Sequence, residues 1–204
     1  MLKKLAGFVI AITLLVGLSA SEPAEAAAPT FIENGKTVDE FSGHPLADRK
    51  EIRPLGNGYN LYKDHTQGFS LIYPQHMEVD VSLSSIRTLI SDANTRLEIY
   101  HDIFGSGNTP SVQAYINYSN RFLNNKTDHQ VLENRYLTVN GYQVHLLRWE
   151  RDKLARVKND HNYYVSAEII INPKEVYTLV WESTRPVDDY MQVLESFQTI
   201  PRSG

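Results

Sequence analysis

The first regular alternation of apolar and polar positions along the chain falls at GFSLIYPQHMEVDVS, Gly68 to Ser82. Phe69, Leu71 and Tyr73 interleave with Ser70 and Ile72. This imperfect two-residue period predicts a strand that ends at Pro74, which has no N–H to give to a ladder. Met77, Val79 and Val81 then alternate with Glu78, Asp80 and Ser82, so the stretch is expected to be an edge hairpin bent at Pro74–His76. RTLIS (Arg87–Ser91) and RLEIYHDIF (Arg96–Phe104) predict a second strand pair around Asp92-Ala93-Asn94.

The clearest helical period follows. Val112, Tyr115, Ile116, Ser119, Phe122 and Leu123 recur on one face, with Thr109 expected as N-cap, Pro110 as first helical residue and Asn124–Asn125 as the end. RYLTVNGYQVHLLRWER (Arg135–Arg151) predicts a hairpin turning at Asn140-Gly141, the strongest short turn signal in the chain. NYYVSAEIIINPKEVYTLVWES (Asn162–Ser183) predicts two long strands around Asn172-Pro173-Lys174-Glu175. In RPVDDYMQVLESFQTI, Pro186 is expected to open a second helix, with Asp188 and Asp189 at the positive end of its dipole. Val187, Tyr190, Met191, Leu194 and Phe197 form its apolar stripe.

Upstream, from Ala27 to about Asn60, nothing is periodic. Gly, Pro, Asp and Asn are dense, and the segment reads as an irregular arm with one short strand near Glu51–Arg53 or Asn60–Tyr62. The expected class is therefore α+β, a central antiparallel sheet of about six to eight strands sandwiched by helices. The expected organisation is 1–26 signal peptide, 27–60 arm and 61–204 α+β domain.

Composition sharpens the address. Lys3 and Lys4 precede the apolar stretch Leu5–Ala20, and Ala24-x-Ala26 supplies small residues for cleavage, which together predict a secretory signal peptide. The stretch is shorter than the ~20 residues that cross a bilayer; an uncleaved N-terminal anchor is the competing reading. The absence of cysteine excludes disulfides, thiol chemistry and an N-terminal lipidated Cys. It leans the exported protein towards a bacterial surface or medium. Net charge is −4 and stays so without residues 1–26, because Lys3 and Lys4 leave together with Glu22 and Glu25. A mildly acidic chain offers no electrostatic case for nucleic acid.

The GFSLIYP opening, the LEIYHD strand, the SVQAYINYSNRFL helix, the VNGYQVHLLRWER and YYVSAEIIINPKEVYTLVWES strands and the closing DDYMQVLESFQTI segment occur in one order over about Gly68–Ile200. That order resembles the PsbP-like superfamily, named for an extrinsic protein of photosystem II. The resemblance implies an α/β/α sandwich around an antiparallel sheet and a non-catalytic binding or scaffolding role. The arm and the export signal depart from the photosynthetic branch, so no photosystem role and no manganese or calcium ligand is carried over. YYVSAEII and the short tail after SFQTI also resemble the N-terminal module of some exported Gram-positive glycoside hydrolases.

Catalytic signatures are missing. There is no Gly-x-Ser-x-Gly elbow, His-Glu-x-x-His pair, P-loop or Rossmann fingerprint. On LEIYHD, Glu98 and Asp102 share a face with Tyr100 that reads as a solvated outer face, while His101 points the other way. His145 shares a face with Leu147 and Trp149 and reads as a satisfied core histidine rather than a metal ligand, since no second ligand stands at ligating spacing. No catalytic residue, metal ligand or cofactor is assigned.

The binding candidates are Trp149, Tyr163 and Tyr164, as rings for a sugar or a partner protein, with Arg151, Lys153 and Arg156 from the loop Arg151–Asn162. The basic cluster RWERDKLARVK, Arg148–Lys158, is interleaved with Glu150 and Asp152 and reads as a solvated hairpin loop rather than as a polyanion site. The expected function is a secreted non-catalytic accessory module. Its partner would be another protein domain, a cell-wall polymer or an extracellular polysaccharide, with no nucleic acid and no membrane span after cleavage. The alternatives are a small standalone hydrolase, with His145 or His101 as base and Glu98 or Asp102 as partner, and a structural spacer.

Overall fold

A computed structural model describes residues 31–33, 36–38, 49–81, 87–105 and 111–202. The signal segment 1–26 and the helix start expected at Thr109–Pro110 lie outside these residues. The described chain is mostly β, with two helices. Its elements are β1 (Phe31–Glu33), β2 (Lys36–Val38), β3 (Lys50–Pro54), β4 (Tyr59–Asp64), β5 (Phe69–Pro74), β6 (Glu78–Asp80), β7 (Arg87–Ser91), β8 (Thr95–Ile103) and α1 (Val112–Asn124). They continue as β9 (His129–Val139), β10 (Tyr142–Arg151), β11 (Tyr163–Asn172), β12 (Glu175–Ser183), α2 (Tyr190–Ser196) and β13 (Gln198–Thr199).

Nine strands form one sheet in the order β2-β1-β6-β7-β8-β12-β11-β10-β9, and four form another in the order β13-β5-β4-β3. Every pairing is antiparallel except β1 with β6. The long strands follow their turn chemistry. Asn140 and Gly141 take φ of 50° and 83° between β9 and β10, the left-handed pair that an Asn-Gly hairpin turn requires. At the β7–β8 turn, Asp92 Oδ1 accepts the N–H groups of Asn94 at 2.7 Å and Thr95 at 2.6 Å.

Several expectations are corrected. A single helix-sandwiched sheet is replaced by two sheets, with the small one facing the large. Phe69 on β5 lies 5.9 Å from the Tyr177 ring of β12 and 6.1 Å from Phe197, and Leu71, Tyr73, Leu146, Leu179 and Trp181 join them in one core. Each fully buried large apolar side chain of this kind contributes about 1.5–3 kcal/mol relative to exposure. Helix α1 covers part of the opposite face of the large sheet, where Val112 and Ile116 pack on Val176.

The predicted edge hairpin does not exist. β5 pairs with β4 and β13, whereas β6 pairs with β1 and β7, so the bend after Pro74 carries the chain from one sheet to the other. Nor is the arm irregular where it is described. It supplies β1, β2, β3 and the start of β4, so strands stand at both places where one was expected, Glu51–Arg53 and Asn60–Tyr62, and they pair over the whole length of β3 from Lys50↔Asp64 to Pro54↔Asn60. Helix α1 is capped by Ser111, whose hydroxyl accepts the Ala114 N–H.

The second helix begins only at Tyr190, with Val193 buried and Met191 half-buried. Phe197 is extended past its end, and the chain returns along β5 as β13.

Candidate functional site

Strand alternation sorts the large sheet into two faces. The core-facing set includes Val144, Leu146, Val165, Ala167, Tyr177 and Leu179. The other set carries His145, Leu147 and Trp149 on β10, Tyr164, Ser166 and Glu168 on β11, and Thr178, Val180 and Glu182 on β12, placed side by side by the ladder. Helix α1 crosses only part of this face. Between it and the sheet lies an open groove of about 320 Å³. Tyr115, Tyr118 and Phe122 form its helical wall; Leu147, Ser166 and Val180 lie side by side across its floor, with Trp149, Thr178 and Glu182 also lining it.

The helical wall departs from the apolar stripe expected for it. Phe122 lies on the predicted apolar stripe, yet it is 50% exposed, and Tyr118 beside it is 64% exposed. The helix buries only Val112, Ile116 and Leu123, one narrow line, and turns its aromatic shoulder to the groove. Two exposed aromatic rings one turn apart would have been the sequence signal.

Of the six candidate residues, the structure brings Trp149 and Tyr164 together as parallel rings with centroids 5.3 Å apart. Arg151 shares their face and pairs with Asp160 at 3.3 Å. Burial lifts the Tyr164 hydroxyl above the usual tyrosine range, against the pull of Arg151. Tyr163 points to the opposite face, where the Arg156 guanidinium sits 4.9 Å from its ring and pairs with Glu150 at 2.9 Å. Lys153 is exposed in the loop. The six candidates are thus divided between two faces and a loop. That loop is organised by Asn162, which accepts from Val157 N–H at 3.1 Å and donates to Val157 and Asp160 carbonyls at 2.9 and 2.8 Å.

At the deep edge of the groove stands a network whose Glu168 the sequence reading missed. His145 is fully buried; its Nδ1 lies 2.6 Å from Glu168 Oε2 and its Nε2 3.0 Å from Asn134 Oδ1. Ser119 Oγ of α1 donates to Glu168 Oε1 at 2.6 Å. The satisfied core histidine expected from the sequence is what the structure contains. A nucleophile needs the imidazole against its hydroxyl; here the carboxylate stands between them.

The other hydrolase candidates are arranged no better. Glu98 is buried, not on a solvated face; it accepts from the Tyr100 hydroxyl and pairs with Arg87 at 3.4 Å and Arg96 at 3.6 Å. Asp102 is half-buried, and burial raises its carboxyl above the ordinary range, with His101 opposing. The carboxylate beside His101 is Glu175, at 3.0 Å, and Arg202 also reaches the same Nε2 at 3.0 Å. Neither histidine is paired with Glu98 or Asp102. Among the described residues, no group of three or more His, Asp or Glu side chains stands together so as to hold a metal ion. None of the described helices is long and apolar enough to cross a membrane.

No family model matches the chain, and no curated protein matches it. Among solved structures, it is similar to the solution structure of cyanobacterial PsbP (CyanoP) from Synechocystis sp. PCC 6803. The TM-score is 0.48 and the identity 13%, over 70% of this chain and 92% of that one.

Proposed function

We propose that the chain is a non-catalytic extracellular binding module and that the groove between α1 and the large sheet receives its ligand, a saccharide segment of a cell-wall or extracellular polymer. The observation that carries this reading is the groove itself, about 320 Å³, with Tyr118 and Phe122 on its helical wall and Trp149 on the sheet beneath. Aromatic faces suit the apolar C–H face of a sugar ring, and the Ser166 hydroxyl on the floor and the part-exposed Glu182 carboxylate, paired with Arg96 and His161, suit its hydroxyls. Delivery of a polysaccharide-degrading enzyme to its substrate is the accessory role this reading assigns.

Nothing in the placement of His145 or His101 favours the hydrolase alternative, because each ring nitrogen of His145 is engaged and Nε2 of His101 is held between Glu175 and Arg202. The test is retention of the protein by insoluble cell-wall and plant polysaccharides, followed by calorimetric titration with oligosaccharides of the retaining polymer. Tyr118→Ala and Phe122→Ala change exposed side chains, so they are expected to keep the fold and weaken binding tenfold or more. Wild-type protein that no polymer retains, or retention indifferent to both substitutions and to Trp149→Ala, would remove the groove from consideration.

A further inference from the structure

The described strands leave four sheet ends, and three of them are blunted in the ways proteins use to avoid edge pairing. β2 has three residues, β13 has two, and β3 begins with Lys50 and ends with Pro54. The fourth, β9, runs for eleven residues, HQVLENRYLTV, with neither lysine nor proline; its protective features are the bulge at Leu132 and the opposite charges of Glu133 and Arg135. It also exposes apolar side chains, with Val131 at 41%, Leu132 at 47% and Tyr136 at 47%. A long edge with an apolar surface is a template for another strand.

The order of residues in β9 says which strand. Counting outwards from Asn134, Glu133 stands opposite in sequence to Arg135, so the acidic residue of the strand and its arginine exchange places when it is reversed. The irregularity in β9 fits the same symmetry. The ladder with β10 passes from Glu133↔Arg148 to Val131↔Trp149, leaving Leu132 as an extra residue. In a bulge of this kind two residues oppose one. Reversed about Asn134, the bulged pair Val131–Leu132 meets Tyr136, so the exposed apolar residues of the two copies come together on either side of the axis.

We propose that β9 pairs antiparallel with β9 of a second copy of this chain, about a two-fold axis at Asn134, so that Glu133 of each chain faces Arg135 of the other. Closed two-fold association of identical surfaces is the commonest oligomer geometry. Glu133 and Arg135 lie on the same face of the sheet, since they stand opposite Arg148 and Leu146 of β10. Glu133 already pairs with Arg135 and Arg148 of its own chain. The second copy's Arg135 extends this into a ring of alternating charge. Directly opposed residues of antiparallel strands point to the same side, so both grooves open on one side of the joined sheet.

The test is sedimentation of the purified full chain from ~1 μM to ~1 mM loading, which spans tight to weak association. The proposal expects a concentration-dependent dimer. Arg135→Glu and Glu133→Arg each place like charges across the axis, and each alone should lose the dimer. Mixed in equal amounts, they restore opposite charges at both contacts and should regain it as a heterodimer. Circular dichroism of each variant guards against loss of fold. A wild-type monomer throughout the range overturns the proposal. So does a dimer indifferent to both reversals, or two folded variants that stay monomeric when mixed. The readout needs no ligand, so its outcome is separate from that of the groove.

Discussion

Nδ1 of His145 lies 2.6 Å from Oε2 of Glu168, with both side chains sealed from solvent, and this contact joins β10 to β11 beneath helix α1. Ser119 completes the link from the helix and Asn134 from β9. Removing one member of a buried pair leaves an uncompensated polar or charged group, which costs about 3–5 kcal/mol. Glu168→Ala is therefore expected to lower urea-derived stability by about that amount. It should also raise amide exchange in α1, which loses its anchor at Ser119. The double variant His145→Leu, Glu168→Leu is expected to cost less than the sum of the two single changes, and a double-mutant cycle by urea unfolding checks this.

The strands from Arg135 to Ser183 are legible because each signal there is local. Alternation gives the faces, Asn140-Gly141 gives one turn, and Asn172–Glu175 gives the other. What was not legible depends on partners distant in sequence. Phe69–Tyr73 and Met77–Val81 have the same two-residue period whether they pair with each other or enter different sheets. β3 and β4 are expected only as one short strand at either place, not as a pair, because Asn60 and Asp64 occupy buried positions and break the apolar pattern of β4. Lys50 satisfies Asp64 across the hairpin, a relationship fourteen residues apart that no window detects. Glu168 is hidden for the same reason, since a carboxylate amid YYVSAEIII reads as an outward residue until Ser119 and His145 are placed around it.

Gly68 separates two effects that glycines usually combine. It has φ of 80°, and a Cβ added there would stand 2.7 Å from Arg202 Cγ and 3.2 Å from the Ile200 carbonyl. Gly58 has a similar φ of 84° with nothing within 4 Å. Both alanine variants incur the cost of a left-handed backbone, about 1–2 kcal/mol. Gly68→Ala should cost more, because it also pushes away the segment whose Ile200 N–H donates to the Gly68 carbonyl at 2.9 Å. Thermal unfolding of the two variants gives the difference, and faster cleavage at Arg202 by trypsin should accompany Gly68→Ala alone.

His101 gives the fold a defined acid sensitivity. Its ring stacks on Tyr177 at 4.1 Å, and burial holds its pKa below the usual histidine value, with Glu175 pulling upward and Arg202 adding to the depression. A histidine kept neutral by folding binds its proton more readily in the unfolded chain. Its contribution to stability is therefore present above the unfolded value of about 6.5 and is lost as pH falls from there through the lower folded value. Glu175 acts in a lower window. Burial alone would raise its carboxyl, but His101 and Arg202 hold it below the ordinary range, so its contribution is present above about 4.5 and lost below. Urea unfolding at pH 8, 6 and 5 should show declining stability in the wild type and a flatter profile in His101→Asn. An unchanged slope in that variant would assign the acid sensitivity to other groups.

Asn140 performs two tasks that substitution can divide. Its φ of 50° suits the turn between β9 and β10, and its Nδ2 donates to the carbonyls of Glu195 and Phe197 at the end of α2, at 2.5 and 3.2 Å. Those carbonyls belong to a helix terminus, where acceptors lack partners within the helix. Asn140→Gly keeps the left-handed backbone, relieves it of a β-carbon and removes the two side-chain hydrogen bonds, each worth about 0.5–1.5 kcal/mol net. Asn140→Ala loses the donors and keeps a β-carbon in the left-handed region without the polar side chain that lets asparagine tolerate it, so it retains the cost of about 1–2 kcal/mol that glycine relieves. If the bridge to α2 is the larger effect, the two variants will have nearly equal denaturant midpoints. A large gap between them assigns the residue to the turn, and the Phe197 contact with Tyr142 would then hold α2 without help from Asn140.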